Sequence, residues 1–453
     1  MKPRGLLAAV IVLAALGGVL YWSNRKQKAD AAKPAADTTA TTKILAIPDD
    51  QIKEVDLKKT GAETTVLRKG DDGKWQIAEP KPLRADQDAA KSLVSSLGTL
   101  NADKVVEDKA ADLSPYGLSA PTLDVTVVKK DGKSQDFLIG DDTPTGGGSY
   151  AKLAGDAHVY TIASYVKTGI DKTSNDLRDK RLLTFDQDKL TRVDVQPAKG
   201  EAIEFGKNNQ NDWQILKPKP MRADGSQVEE LIRKLKDAKM DATISQDDAK
   251  KAATAFASGT KVATASVTDS SGTETLEVRK DKDKNYYAKS SAAGTDGGIY
   301  KVTADLGDGL DKKVDDFRNK KLFDFGWTDP TKVEVGKLAV EKSGDKWMSG
   351  AKQMDASSVQ SVVDKLRDLA ATKFPDSNGA SSGASGGGTP VLDITVTSNA
   401  GKRVEKVSIT KQGDAYFAKR ENEPSIYQLD NKAVEDLQKA ANEVKPFQPP
   451  KKK

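Results

Sequence analysis

One pattern recurs three times along this chain and constrains its fold more than anything else. Lys74-Trp75-Gln76-Ile77 leads into Pro80-Lys81-Pro82-Leu83-Arg84-Ala85-Asp86. Asp212-Trp213-Gln214-Ile215 leads into Pro218-Lys219-Pro220-Met221-Arg222-Ala223-Asp224. Lys346-Trp347-Met348 leads into Gln353-Met354-Asp355. The tryptophans lie 138 and then 134 residues apart. Solenoid units repeat every ~20–50 residues, so a period this long is a whole domain. A catalytic site is seldom kept in triplicate, whereas a framework is, so the recurring residues read as fold.

Each copy opens on strand-like residues: Ile52 to Leu57, Leu190 to Val195, and Lys332 to Val335. A second strand follows (Thr64 to Arg68, Ala202 to Phe205, Lys337 to Glu341), then a polar turn and the tryptophan strand. Alternation such as Val193-Asp194-Val195 predicts half-buried antiparallel sheet. A helix comes next. Its apolar positions are Ala90, Leu93, Val94, Leu97 and Leu100 in the first copy, and Val228, Leu231, Ile232, Leu235 and Ala238 in the second. In the third they are Val359, Val362, Val363, Leu366 and Leu369. The i, i+3, i+4, i+7, i+10 spacing is one helical face. Asp86, Asp224 and Asp355 stand where N-caps belong, and Gln227 has the spacing of a capping box with Asp224.

The second half of each copy is β again. Thr122-Leu123-Asp124-Val125-Thr126-Val127 corresponds to Val391-Leu392-Asp393-Ile394-Thr395-Val396, with Thr264 to Thr268 between them. Tyr150-Ala151-Lys152 recurs as Tyr287-Ala288-Lys289 and Phe417-Ala418-Lys419. Val159-Tyr160 recurs as Ile299-Tyr300 and Ile426-Tyr427. A short closing helix is expected over Asp176 to Leu183 and Asp316 to Phe323, joining one copy to the next. The third copy ends at Leu437 to Phe447 without that basic junction.

The fold class expected is therefore α+β: three tandem repeats of antiparallel strands with one amphipathic helix inserted, behind an N-terminal transmembrane helix. Gly5 to Trp22 is uncharged and apolar, and its 18 residues span about 27 Å against a hydrocarbon core of ~30 Å. Tyr21 and Trp22 end it as interfacial aromatics would. Lys2 and Arg4 precede it and Arg25, Lys26 and Lys28 follow it, so charge leaves its orientation open. The short tail and the large polar remainder favour an exported bulk. The rival is a cleaved signal peptide, but a small-x-small cleavage site is missing after the apolar run. The expected divisions are a cytoplasmic tail (1–4), the anchor (5–22), a flexible linker (23–43), repeats over 44–183, 184–322 and 323–447, and a polar tail (448–453).

Composition excludes several chemistries. There is no cysteine, hence no disulfide, thiolate nucleophile, Cys-bound metal or lipoprotein anchor. Seventy-two basic and 67 acidic residues leave a net charge of +5, a mixed surface rather than a nucleic-acid footprint. His158 is the only histidine, so a Ser-His-Asp triad would have to use it, and zinc finds few ligands. The other copies place Gly298 and Ser425 at its position, and it reads as a solvent-side strand residue.

Remaining motifs read as ordinary structure. Asp281-x-Asp283-x-Asn285 begins like a calcium loop, yet Tyr286 and Ala292 occupy positions that need Gly and Glu. Gly146-Gly147-Gly148 lacks the trailing Gly-Lys-Ser/Thr of a phosphate loop. Ser164-x-x-Lys167 and Lys167-Thr168-Gly169 overlap, whereas penicillin-recognising chemistry needs them far apart. Gly379 to Gly388 is a flexible loop replacing the Tyr116 segment of the first copy. Trp75, Trp213 and Trp347 are either core anchors or a carbohydrate-stacking platform, with core favoured. The clusters Arg178-Lys180-Arg181 and Arg318-Lys320-Lys321 either pack between repeats or meet acidic lipid or wall polymer, with packing favoured.

Tyr116-Gly117-Leu118-Ser119-Ala120-Pro121, then Leu138-Ile139-Gly140-Asp141, then Tyr150 and Asp176-Leu177-Arg178-Asp179-Lys180, resemble the bacterial domain-of-unknown-function family 4340. The second and third copies lack the Tyr-Gly-Leu and Ile-Gly-Asp elements. The resemblance implies a membrane anchor and genes beside ABC transporters of the gliding-motility type. It supplies no catalytic residue. The expectation is a non-enzymatic, membrane-anchored extracytoplasmic scaffold of the inner membrane, without catalytic, metal or cofactor site. Its partners would be envelope or ABC transporter proteins and not nucleic acid. The alternative is a binding module for wall polymer or anionic glycan.

Overall fold

The computed structural model describes residues 42–144, 146–240, 246–292, 298–375 and 388–449, with the side chains of 246–249 left aside. The expected anchor, the linker up to residue 41, C-terminal Lys451-Lys452-Lys453 and nearly all of the expected Gly379–Gly388 loop lie outside these residues. Among the described residues no helix is long and apolar enough to cross a membrane.

Three antiparallel sheets follow one another. The first contains β1 (Ile52–Lys59), β2 (Thr65–Lys69), β3 (Trp75–Glu79), β4 (Leu83–Arg84), β5 (Lys104–Glu107), β6 (Leu123–Lys129), β7 (Ser134–Asp142), β8 (Gly148–Leu153) and β9 (Val159–Ala163). Their order is β4-β3-β2-β1-β6-β7-β8-β9-β5. The second contains β10 (Arg192–Pro197), β11 (Ile203–Lys207), β12 (Trp213–Lys217), β13 (Met221–Arg222), β14 (Thr260–Asp269), β15 (Gly272–Lys280), β16 (Tyr286–Ser290) and β17 (Ile299–Val302). The third contains β18 (Lys332–Val335), β19 (Leu338–Ser343), β20 (Lys346–Ser349), β21 (Lys352–Gln353), β22 (Ala371–Lys373), β23 (Thr389–Ser398), β24 (Arg403–Gln412), β25 (Ala415–Arg420) and β26 (Ile426–Leu429). Both keep the order of the first, apart from the ninth strand, which the described residues of the second do not include.

The register explains the sequence alternation. Val55 lies opposite Val127, Val193 opposite Val267, and Val333 opposite Val396, all six fully buried. Their neighbours in chain turn to the other face, as a period of two requires. Helices α1 (Gln87–Gly98), α4 (Gly225–Lys236) and α7 (Ala356–Asp368) cover the inner faces. α2 (Ser164–Ile170) and α3 (Ser174–Leu177) belong to the first repeat. The second adds α5 (Gln246–Ser258) and α6 (Ala304–Leu310), and the third α8 (Asn431–Asn442). Asp86 accepts from the Asp88 and Ala89 amides, Asp224 from those of Ser226 and Gln227, and Asp355 from that of Ser358. The capping box expected at Gln227 is absent, because its carbonyl instead accepts from Lys312 Nζ at 2.9 Å.

One hydrophobic core belongs to each sheet, running from Ile44 to Leu177, from Leu182 to Phe317 and from Leu322 to Ala440. Leu182 and Leu183, counted from sequence with the first repeat, are buried in the second core, and Leu322 is buried in the third. The chain divides into two compact units at Asp179/Lys180, the first sheet in one and the other two sheets in the second.

The closing helix expected from Asp176 and Asp316 onward is corrected. Thr173 and Asp176 form a reciprocal capping box on a single turn, and Arg178 is already extended. α3 ends at Leu177, and the next residues form bridges instead. Ala85 pairs with Arg178 in the first unit, Ala223 with Arg318 in the second, and Met354 with Pro446 at the end of the third repeat. The lead-in to each repeat is stitched in the same way: Lys43 with Asn101, Arg181 with Lys239, and Lys321 with Ala370.

Candidate functional site: the junction of the second and third sheets

The second unit concentrates its buried charge where one extended segment serves two sheets. The Asp224 amide donates to Phe317 O (2.7 Å) and the Asn319 amide to Arg222 O (3.0 Å), tying the segment to the second sheet. The Leu322 amide donates to Leu369 O (3.0 Å) and the Ala371 amide to Lys320 O (2.8 Å), tying it to the third. Only two residues separate Arg318 from Lys321, so little slack remains between the repeats.

Side chains reinforce this seam. Arg318 is buried, lies 3.7 Å over the ring of Phe374 and meets Asp315 at 3.3 Å. Arg222 pairs with Asp324 and with Glu423 (3.2 Å), approaches the Tyr427 hydroxyl (3.2 Å) and donates to Lys321 O. Arg420 pairs with Glu405 (3.1 Å) and Glu423 (3.0 Å) and donates to Leu322 O. Glu405 accepts from the Asp324 amide at 3.0 and 3.1 Å, and Arg403 donates to Asp324 O at 2.7 Å. Burial works against the charge on Arg222, but Asp324, Tyr427 and Glu423 outweigh it and hold its pKa above the ordinary value. Burial, opposed by Arg222 and assisted by Glu423, pushes Tyr427 up to about 12.

Beside the seam opens a polar cleft of ≈ 340 Å³, lined in part by Asn211, Gln214, Arg222, Asn319, Asp324 and Arg403. Within it Arg222 pairs with Asp324 and Arg403 donates to the Asp324 main-chain carbonyl, so its chemistry is hydrogen bonding and electrostatic fit.

The residues singled out from sequence are placed as follows. Trp75, Trp213 and Trp347 are 4, 7 and 3 % exposed and sit in the three cores. Each is covered by a lysine from the neighbouring strand: Lys69 at 5.6 Å, Lys207 at 5.1 Å and Lys342 at 5.1 Å from the ring centre. They are core anchors and offer no stacking face. His158 is partly exposed and contacts Asp156 at 2.6 Å, and Asp156 also accepts from Tyr160. The Tyr160 hydroxyl, first by hydrogen bonding, and then His158 hold the Asp156 carboxyl well below the usual range. Ser164 opens α2, whereas Lys167 reaches Asp142 (2.7 Å), which also accepts from Ser149 (2.6 Å). Asp281 accepts from the Asp283 and Asn285 amides in a hairpin turn. Gly148 sits in β8, where a Cβ would fall 2.2 Å from Ile162 O.

The Tyr116-Gly117-Leu118 and Ile139-Gly140-Asp141 elements prove to be a single contact. A Cβ on Gly140 would lie 2.1 Å from Tyr116 O, and one on Gly117, at φ +66°, would lie 2.5 Å from the Asp141 carboxyl. Tyr116 donates to Glu107 (2.6 Å) and packs edge-on against Tyr150 at 5.0 Å. Gly140 is needed because its backbone touches that of Tyr116, and Gly117 because its φ is positive and the Asp141 carboxyl fills the place of a Cβ. The other copies lack both elements, and losing one element removes the reason for the other.

Sequence reasoning missed the charge network, since its members lie up to 205 residues apart. One signal was available. Glu405, Val407 and Ile409 share the inward register of β24, as Glu274, Leu276 and Val278 share that of β15. A carboxylate in a core register calls for a buried partner.

Residues 75–255 and residues 213–386 each match the family described as Domain of unknown function (DUF4340). The chain belongs to that family. The two matches start at equivalent tryptophans, Trp75 and Trp213, and each runs past the start of the next repeat. Each match thus spans a junction, running from the tryptophan strand of one sheet into the next repeat. No curated protein and no solved structure matches the chain.

Proposed function

We propose that this DUF4340 protein is a non-enzymatic, membrane-anchored extracytoplasmic scaffold that accompanies an ABC-type transport system. The supporting observation is the junction: two repeats share one extended segment, and buried ion pairs brace it, which suits a part that presents surfaces at a fixed spacing. The uncharged stretch Gly5 to Trp22 supports a single-pass anchor in the cytoplasmic membrane with the repeats exported. The association with a transporter follows from the family resemblance.

The test is crosslinking of the full-length protein in membranes, detergent extraction, affinity capture and mass spectrometry. Recovery of an ABC permease or its partner proteins at stoichiometric yield supports the proposal. Recovery of wall polymer with no stoichiometric protein replaces it with the polymer-binding alternative.

A further inference from the structure

The tryptophan on display is one that does not recur. Trp327 is 92 % exposed in the loop Gly326-Trp327-Thr328-Asp329-Pro330. The loop is held firmly nonetheless. Arg367, at the end of α7, lies 5.8 Å from the Trp327 ring centre and 5.5 Å from that of buried Phe325. Arg367 donates to Gly326 O (2.9 Å), pairs with Asp329 (2.7 Å) and also pairs with Asp364. Asp329 is further engaged by Gln360 (3.3 Å) and Lys342 (3.5 Å). The other repeats make the corresponding contact without an aromatic: Lys236 donates to Gln187 at 3.1 Å in the second, and Gly98 lies against Asp49 in the first. The third repeat alone holds an exposed indole in a braced loop; a single exposed ring is ordinary on a soluble surface, and it is the polar groove near the loop that gives this one a reading.

The groups beside it indicate what. A shallow groove of ≈ 520 Å³ runs along α7, lined by Ser357, Gln360, Ser361, Asp364, Lys365 and Asp368. Gln360 and Asp364 connect that groove to the Trp327 loop through Asp329 and Arg367. Hydroxyl, amide and carboxylate groups in a groove linked to the loop of one exposed aromatic ring match a ligand ring that is apolar on its C–H face and hydroxylated at its edge. Asp329, Asp364 and Asp368 are balanced by Lys342, Lys365 and Arg367, so no excess of positive charge favours a polyanion. A lipid surface would call for more apolar area than a single ring flanked by Thr328 and Asp329.

We propose that Trp327, backed by Arg367, is the stacking platform of a saccharide subsite in the third repeat, taking a neutral pyranose ring while the α7 groove receives its hydroxyls. The inference is independent of the scaffold reading. The test uses the full-length protein in a detergent without a sugar headgroup, with N,N′,N″-triacetylchitotriose as probe and saturation-transfer NMR as readout. Saturable binding is expected, weakened by about tenfold or more in Trp327→Ala and largely restored in Trp327→Phe. Unchanged thermal melting of both variants excludes misfolding as the cause. The proposal is overturned if the trisaccharide does not bind, or if Trp327→Ala binds it as well as wild type. It is equally overturned if oligogalacturonate or phosphatidylcholine vesicles, but not the trisaccharide, bind in a Trp327-dependent way.

Discussion

The lead-in segments of the second and third repeats solve one problem with different chemistry. Leu182 and Leu322 occupy the same place, and each carbonyl needs a donor. Ser290 Oγ supplies it in the second repeat and the Arg420 guanidinium in the third. Two residues on, the amides of Thr184 and Asp324 both donate to a glutamate in a core register, Glu274 at 2.6 Å and Glu405 at 3.0 Å. Thr184 adds its own hydroxyl to Glu274 and involves no second charge, whereas Asp324 draws in Arg222, Arg403 and, at 3.9 Å, Arg420. The main-chain pattern is common to both and is the fold. The ion network braces the third repeat's lead-in, and a network of buried charges is sensitive to losing any member because the remainder is left without a full set of partners.

The sharpest way to break this comparison is Arg222→Ala. It leaves Asp324 and Glu423 partly buried with Arg420 as their remaining side-chain cation, and a stability loss of about 3 kcal/mol is expected. Urea unfolding of the full chain measures it. A loss below ~1 kcal/mol would show that the network merely balances its own desolvation.

Tyr427 offers a second, pH-dependent test of the same seam. Its folded pKa, about 12, lies above the ordinary ~10. The folded state therefore holds the phenolic proton more tightly than the unfolded state does. The associated stability is complete below ~pH 10 and is lost as pH climbs toward 12, by roughly 2–3 kcal/mol. Tyr427→Phe should flatten that alkaline decline in a series of unfolding measurements. An unchanged slope would assign the decline to other tyrosines, such as Tyr160, which is also pushed up to about 12 by burial and by Asp156.

At Ser290, where the donor to the lead-in carbonyl is a hydroxyl, the effect should be smaller. Ser290→Ala removes the donor to Leu182 O and the acceptor for the Ala292 amide (3.0 Å). A cost of about 1–2 kcal/mol is expected from buried groups left unsatisfied. If it matched Arg222→Ala, charge would not be what distinguishes the two seams.

These seams also mark where the sequence ceased to be readable. The helix faces, their aspartate caps and the strand alternation were legible because each depends on neighbours within a dozen residues. Leu93, Leu231 and Val362 are buried as their spacing requires. The Gly117–Gly140 contact was visible only as two motifs, because the reason for both is one close approach between segments distant in sequence. Arg318, expected to pack between repeats, lies over Phe374 of the third core, but Arg222 stood in the repeated motif with no sign of its role, because its partners are supplied only by the stacking of two repeats. For tryptophan, recurrence pointed to the core and was right for Trp75, Trp213 and Trp347. Trp327 drew no notice because exposure of a single loop residue leaves no periodic trace.

That contrast gives the smallest expected effect and the cleanest optical one. Trp327 has almost no surface removed from water, so Trp327→Ala should change folding stability by less than ~0.5 kcal/mol. The three buried tryptophans report an apolar surrounding, while Trp327 reports solvent. Emission of the full chain should therefore move to shorter wavelength in Trp327→Phe, and its accessibility to the neutral quencher acrylamide should fall. In Arg222→Ala the same loop should keep its emission, because Arg367, Asp329 and Phe325 hold it without help from the seam. Should Arg222→Ala instead shift the Trp327 signal, the charge network and the displayed indole would be parts of one cooperative element rather than two features of the third repeat.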